Sequence, residues 1–104
     1  MSAESGEILA IAIFECAEDK DAETLEVLRG LYGLMQRKGY GRDSLYRDAK
    51  NPHRYVNFRY WSSEEARKQA HEDPDVHKFW AKLGHLITMQ MVFEKLEAIE
   101  QLGN

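Results

Sequence analysis

The segment ILAIAIFEC at residues 8–16 is apolar at odd and even positions alike until Glu15. Successive side chains of a strand point to opposite faces, so a strand with one solvated face alternates apolar and polar residues. Apolar residues at both parities predict a strand buried on both sides. Any fold for this chain must therefore cover its sheet twice.

The rest of the chain supplies one of those covers. Residues 21–38 read as a helix, with Asp19 or Asp21 as N-cap, Glu23 in the first turn, and Arg37 and Lys38 in the last. Gly39 follows as the natural terminating residue. Leu25, Leu28, Tyr32 and Met35 form its core stripe, and Val27, Leu31 and Leu34 widen the apolar surface. Residues 40–48 and 54–61 read as a hairpin around Asn51-Pro52. In its second arm Tyr55, Asn57, Arg59 and Trp61 share one face, and Val56, Phe58 and Tyr60 the other. Ser62-Ser63-Glu64-Glu65 reads as a capping box with Ser62 as N-cap and Glu65 at N3. The helix behind it carries only Ala66 and Ala70 as an apolar stripe. Asp73-Pro74 restarts the chain as N-cap and first helical residue, and Val76, Phe79, Trp80 and Leu83 give the next core stripe. A last strand over 87–96 is expected to place Ile87, Met89, Met91 and Phe93 on one face and Val92 on the other. The tail after Glu97 is expected to be frayed or a short helix.

The order β-α-β-β-α-β, with the second helix split at Pro74, is the ferredoxin-like α+β arrangement with an antiparallel four-stranded sheet. Its helices cover one face only. The apolar second face predicts a homodimer formed through the sheet faces, the symmetric solution open to a chain of this size. The 104 residues are expected to form a single domain, 1–104, with its core over about 7–97.

Composition removes several function classes. The net charge of −4, with both signs interspersed, argues against a nucleic-acid partner. The basic residues between 37 and 59 are interrupted by Asp43 and Asp48, so they read as a solvated hairpin. The apolar run at 8–14 is too short to span a membrane, and the N-terminal MSAESGE lacks the basic start of a signal peptide. A lone cysteine, Cys16, reads as a buried structural thiol and fits a reducing, cytoplasmic setting. No metal is expected: His71 and His77 straddle Asp73-Pro74 rather than sharing a helix face, and no HExxH or clustered Cys/His exists. The glycines have neither dinucleotide nor P-loop spacing.

The strand ending YVNFRYW, the turn into SSEEARKQAH and the DPDVHKFW that follows resemble the antibiotic biosynthesis monooxygenase (ABM) family of the dimeric α/β-barrel superfamily. A tryptophan closing the third strand, then Ser, Glu-Ala and a His about ten residues on, carries the likeness over roughly 7–97. The resemblance implies two sheets closing a barrel in a homodimer, a pocket between sheet and helices, and oxygenation of phenols or quinols without metal or flavin. It implies no cofactor. In the aromatic-polyketide branch an Asn and a Trp four apart line the pocket, a spacing matched by Asn57 and Trp61. Where that branch carries a Tyr soon after the Trp and an Arg on the last helix, this chain has Arg67 and Ala81. The haem-degrading branch carries an Asn on the first strand, and this chain has none there.

Oxygenation of this kind needs a substrate acidic enough to lose a proton, a base, and donors that hold the developing charge in a dry cavity. Asn57 and His71 are the candidate catalytic residues: a buried amide must find partners, and a histidine titrates near neutral pH. His71 sits beside the room left by Ala66 and Ala70. Trp61, Trp80, Tyr32 and Phe58 are the expected pocket walls for a small planar aromatic ligand, with His77 and Arg59 as further contacts. The competing expectation is a non-catalytic dimeric binding or stress-related module in which these residues only fill the core. A closed interior with Asn57 bonded to backbone would mark that module; an open cavity faced by Asn57 and His71 would mark the enzyme.

Overall fold

A computed structural model describes residues 8–99. The elements are β1 (Ile8–Cys16), α1 (Asp21–Arg37), β2 (Gly41–Asp48), β3 (Asn51–Trp61), α2 (Glu64–Glu72), α3 (Pro74–Leu83) and β4 (Ile87–Leu96). The strands form one antiparallel sheet in the order β2-β3-β1-β4, and the helices lie on one of its faces. This is the ferredoxin-like α+β fold. The N-terminal seven residues, including MSAESGE, and residues 100–104 of the tail lie outside the described residues. Residues 97–99 have no regular structure.

The two parities of β1 separate as its composition requires. Ile8 and Phe14 are buried toward the helices, where they join Leu28, Leu31, Met35, Val76 and Leu83 in the core. Leu9, Ile11 and Ile13 point the other way, and no helix covers them. The core stripe of α1 is centred on Thr24, Leu28, Leu31 and Met35, so Leu31 is central rather than flanking, while Leu25 and Tyr32 are half-buried. The shift follows from α3, which packs closely on α1: a Cβ at Gly30 would meet the Phe79 ring at 2.7 Å. Burying Leu31 instead of leaving it at the margin stabilises by about 1.5–3 kcal/mol.

Four local expectations are corrected. Lys20 is the N-cap of α1 and makes no side-chain capping bond. Asp19 adopts a left-handed conformation at φ 62°, and Asp21 accepts the Tyr55 hydroxyl at 2.6 Å instead of capping. The β2–β3 turn is Ala49-Lys50, with the Lys50 N–H bonded to Asp48 Oδ1, so Asn51 and Pro52 belong to β3. Asp48 pairs with Asn51 but Arg47 pairs with Tyr55, which leaves three extra residues bulging on β3. The N-cap of α2 is Ser63, whose hydroxyl accepts the Ala66 N–H at 3.0 Å; Ser62 donates its hydroxyl to the Gly39 carbonyl.

The fourth correction matters most for the site. Ile13 pairs with Met91 and Phe14 with Met89, so Gln90 is an extra residue in β4. The bulge reverses the facing of the strand partway along. Ile87, Met89 and Val92 lie on the helix side, whereas Met91 and Phe93 lie on the uncovered side beside Ile13 and Ile11. A strict period of two does not survive an inserted residue.

The expected punctuation at the α2–α3 junction is present. Asp73 caps α3 by accepting the Asp75 N–H, with Pro74 at the first turn, and Gly39 takes the left-handed φ of 74° after α1. The buried Asp73 also accepts the Lys38 ammonium and the Tyr40 hydroxyl through Oδ2, each at 2.7 Å. This hub ties the end of α1 to the start of α3 and so sets where Trp80 lies. The Lys38 ammonium, followed by the Tyr40 hydroxyl, holds the Asp73 carboxyl near 2. Among the described residues no helix is long and apolar enough to cross a membrane.

Candidate functional site

Between the helix face of the sheet and the helices lies a partly open cavity of about 230 Å³. Its floor is Ala10, Ala12 and Phe14 of β1, and its inner wall is Leu28 and Leu31 of α1. The two alanines are what leave room on the sheet. Trp61, Asn57 and Arg59 enter from β3, Trp80 and Leu83 from α3, and His71 from the end of α2. Met89 and Val92 form an exposed rim on edge strand β4. The enclosure is mainly apolar and aromatic with a few polar groups converging on it, the form of a site for a planar apolar ligand.

A chain of side chains crosses the deep end. The Tyr32 hydroxyl donates to Asn57 Oδ1. Asn57 Nδ2 donates to Asp43 Oδ1 at 3.1 Å, and Arg59 Nε donates to the same oxygen at 2.6 Å. The Asp43 side chain is 0% exposed and that of Arg59 14%. A carboxylate only accepts, so it selects the amide nitrogen of Asn57 and turns the amide oxygen to the tyrosine. Burial, and then the charge of Asp43, push the Tyr32 phenol far above its ordinary value, against a smaller opposing pull from Arg59. Tyr32 therefore stays a donor. Asp43 Oδ2 is buried and finds no hydrogen-bond partner among the described residues, an arrangement that costs on the order of 1–3 kcal/mol.

At the mouth the rings interleave. His71 lies 5.8 Å from the Trp61 ring and 5.2 Å from the Trp80 ring, centroid to centroid. Its Nδ1 contacts the Arg67 carbonyl oxygen at 2.8 Å. A carbonyl only accepts, so Nδ1 carries the hydrogen and Nε2 of the neutral ring holds the free lone pair. His77 stacks on Trp80 at 5.5 Å and donates from Nε2 to the His71 carbonyl, bracing the end of α2. The Arg59 guanidinium stands 5.3 Å from the Trp61 ring.

Of the residues singled out in the sequence, the structure brings Asn57, Arg59, Trp61, His71 and Trp80 to one cavity. Tyr32 reaches it through Asn57, and His77 stands behind Trp80. Phe58 is corrected: it lies on the uncovered face with Tyr46, Val56 and Tyr60, because a strand residue adjacent to Asn57 must point the opposite way. Asp43 was absent from the candidates. The hairpin around it is not simply a solvated one, since Asp43 is buried against Asn57 and Arg59. The signal that could have found it is its cross-strand pairing with Arg59, which the β3 bulge hides from the sequence. Among the described residues no group of three or more His, Cys, Asp or Glu side chains could hold a metal.

Residues 8–82 match the model of the antibiotic biosynthesis monooxygenase family. No curated protein matches the sequence. Among solved structures, SnoaB from Streptomyces nogalater, a cofactor-independent oxygenase, superposes with a TM-score of 0.75 at 20% identity, over 92% of this chain and 99% of that one. An asparagine-to-alanine variant of SnoaB gives 0.77 at 19% identity with the same coverage. A Nitrosomonas europaea protein, provisionally assigned as an antibiotic biosynthesis monooxygenase, gives 0.77 at 12% identity over 99% of this chain and 100% of that one. At such identities these likenesses establish the fold.

Proposed function

The chain belongs to the antibiotic biosynthesis monooxygenase family, and from that premise we propose that it is a cofactor-independent monooxygenase acting on a small planar phenol, quinol or anthrone in the cavity of each subunit of a homodimer. The observation that carries this reading is the convergence of Asn57, Arg59 and His71 on one open, aromatic-walled cavity. Asn57 is bonded to side chains, not to backbone as a filled interior would have it. SnoaB, named as a cofactor-independent oxygenase, lends its class of chemistry to the proposal.

In the proposed reaction an anthrone stacks between the tryptophans over the alanine floor. His71 Nε2 takes a proton from the acidic C–H or O–H, with Nδ1 held by the Arg67 carbonyl so that the lone pair is on the right nitrogen. The second N–H of Asn57 and the Nη groups of Arg59 stabilise the resulting oxyanion in a site of low dielectric. The electron-rich anion reduces molecular oxygen. One oxygen atom enters the ring as a carbonyl, the other leaves as water, and the substrate carbon gives up two hydrogens and four electrons, which balances the full reduction of the oxygen molecule.

The dimer completes the proposal. Leu9, Ile11, Ile13, Val56, Phe58, Met91 and Phe93 form an apolar sheet face without a helix, and Tyr46, Met91 and Phe93 are 61%, 51% and 43% exposed. A patch of that kind calls for a partner, and a second copy is self-complementary. The test is oxygen uptake with a panel of hydroquinones and anthrones, comparing wild type with Asn57→Ala and His71→Ala. Loss in both variants is expected; turnover that is absent, or unchanged in both, defeats the assignment.

A further inference from the structure

The geometry points to Asp43 as a positioning residue for the amide of Asn57, a role that rests on the oxygenase reading of the cavity. Asp43 lies on β2, does not line the cavity, and has both of its hydrogen-bond partners, Asn57 and Arg59, on the cavity wall. Its carboxylate is fully buried, yet one oxygen finds no partner among the described residues. An apolar pair of similar volume would cover this end of the sheet without stranding a polar atom. Asp43 neutralises the Arg59 guanidinium at 2.6 Å, and by accepting from Nδ2 at 3.1 Å the same oxygen also orients the Asn57 amide.

What it orients follows from the bonding. The amide of Asn57 is held from two sides, by a donor that is kept protonated and an acceptor that cannot donate. The tyrosine hydroxyl could turn to accept an N–H, but reversing the amide would set its oxygen against a carboxylate oxygen, which cannot donate. Only one orientation survives, and it leaves one Nδ2–H for the cavity. An asparagine at position 43 weakens this selection, because it removes the charge and leaves only the Arg59 donor to favour its oxygen over its NH2 toward Asn57. The shape is kept while the amide of Asn57 becomes freer to turn. Asp43 thus acts through Asn57 and touches no substrate.

The test is a double-mutant cycle of Asp43→Asn and Asn57→Ala, read as kcat and KM for oxygen uptake with anthrone. Asp43→Asn is expected to lower kcat about 10–100-fold with KM changed less than about threefold, since the interaction is made to charge that develops in the transition state. In the Asn57→Ala background the same substitution is expected to change kcat less than about threefold. An equal loss in both backgrounds overturns the proposal, as does a raised KM with unchanged kcat. Should Asp43→Asn not fold, Asp43→Glu keeps the charge but displaces the carboxylate, and the cycle is read the same way. If wild type does not oxidise anthrone, the oxygenase reading fails separately, and the cycle is read on anthraquinone binding by tryptophan quenching. Weakening by Asp43→Asn only where Asn57 is present then supports positioning; equal weakening in both backgrounds, or no binding by wild type, overturns it.

Discussion

The two faces of the sheet are built from alternate residues of the same strands and differ in almost every chemical respect. On the helix side of β3, Asn57, Arg59 and Trp61 meet a buried carboxylate and an open cavity. One residue away, Val56, Phe58 and Tyr60 present an apolar surface on which the cross-strand contact is the Tyr46–Phe58 edge pair at 5.5 Å. The first face spends polar groups where water is scarce; the second exposes apolar groups where water is plentiful. Both arrangements are unfavourable in an isolated folded chain. In the proposed function a bound ligand would relieve the first and a second copy the second.

Substitutions that strike one face alone break this comparison most sharply. Phe58→Asp puts a charge into the proposed subunit contact and is expected to convert a dimer into monomers at micromolar concentration, measured by light scattering. A monomeric wild type would remove the premise. Asn57→Ala, on the neighbouring residue, is expected to leave the oligomeric state intact and lower oxygen uptake about 100-fold, the scale of one lost donor to a developing oxyanion. Ala12→Leu fills the floor of the cavity and is expected to weaken anthraquinone binding about tenfold, in keeping with one or two displaced ligand contacts; titration by tryptophan quenching measures it.

Smaller effects concern the helices that make the first face a face at all. The Asp73 carboxyl is held near 2 against an ordinary 3.8, and Glu64 near 2 against 4.5, the latter chiefly by its bond to Arg67 and also by Lys95. Both folded values are depressed. Their stabilisation is therefore complete above the ordinary carboxylate range and is lost as pH falls toward 2. Melting temperature measured from pH 6 to pH 2 is expected to fall less steeply in Asp73→Asn, which keeps the cap but not the charge. Least of all, Ser63→Ala is expected to cost about 1 kcal/mol by urea unfolding, and Ser62→Ala clearly less. Equal costs would contradict the assignment of Ser63 as the cap.

Much of the fold was legible because it rests on local rules. The double apolar parity of residues 8–16, the Asp73-Pro74 restart and Gly39 each specify their structure within a few positions. The register errors share one cause. Three residues after the turn of β3, and one at Gln90 and one between Phe93 and Leu96 in β4, stand outside the ladder with the neighbouring strand, and no local pattern announces them. The candidate site was legible where it follows strand parity, as at Asn57, Arg59 and Trp61. Asp43 was hidden because it depends on cross-strand register, and Phe58 falls outside the cavity because parity, not aromatic character, decides the face a strand residue takes. The cavity volume, set by Ala10 and Ala12, needed the helices in place to be seen.

The extra residue at Gln90 makes β4 a strand of divided allegiance. Val92 borders the cavity mouth, and its neighbours Met91 and Phe93 belong to the opposite surface. This edge is held by its pairing with β1 and by the Lys95–Glu64 ion pair at 3.3 Å, which ties it to α2. A displacement of β4 is therefore transmitted through a single peptide unit from one surface to the other. Whatever seats against the outer surface also sets the shape of the entrance. In the proposed dimer, occupancy of the cavity and pairing of subunits would share a thermodynamic linkage, and dilution is expected to register as a change in apparent ligand affinity.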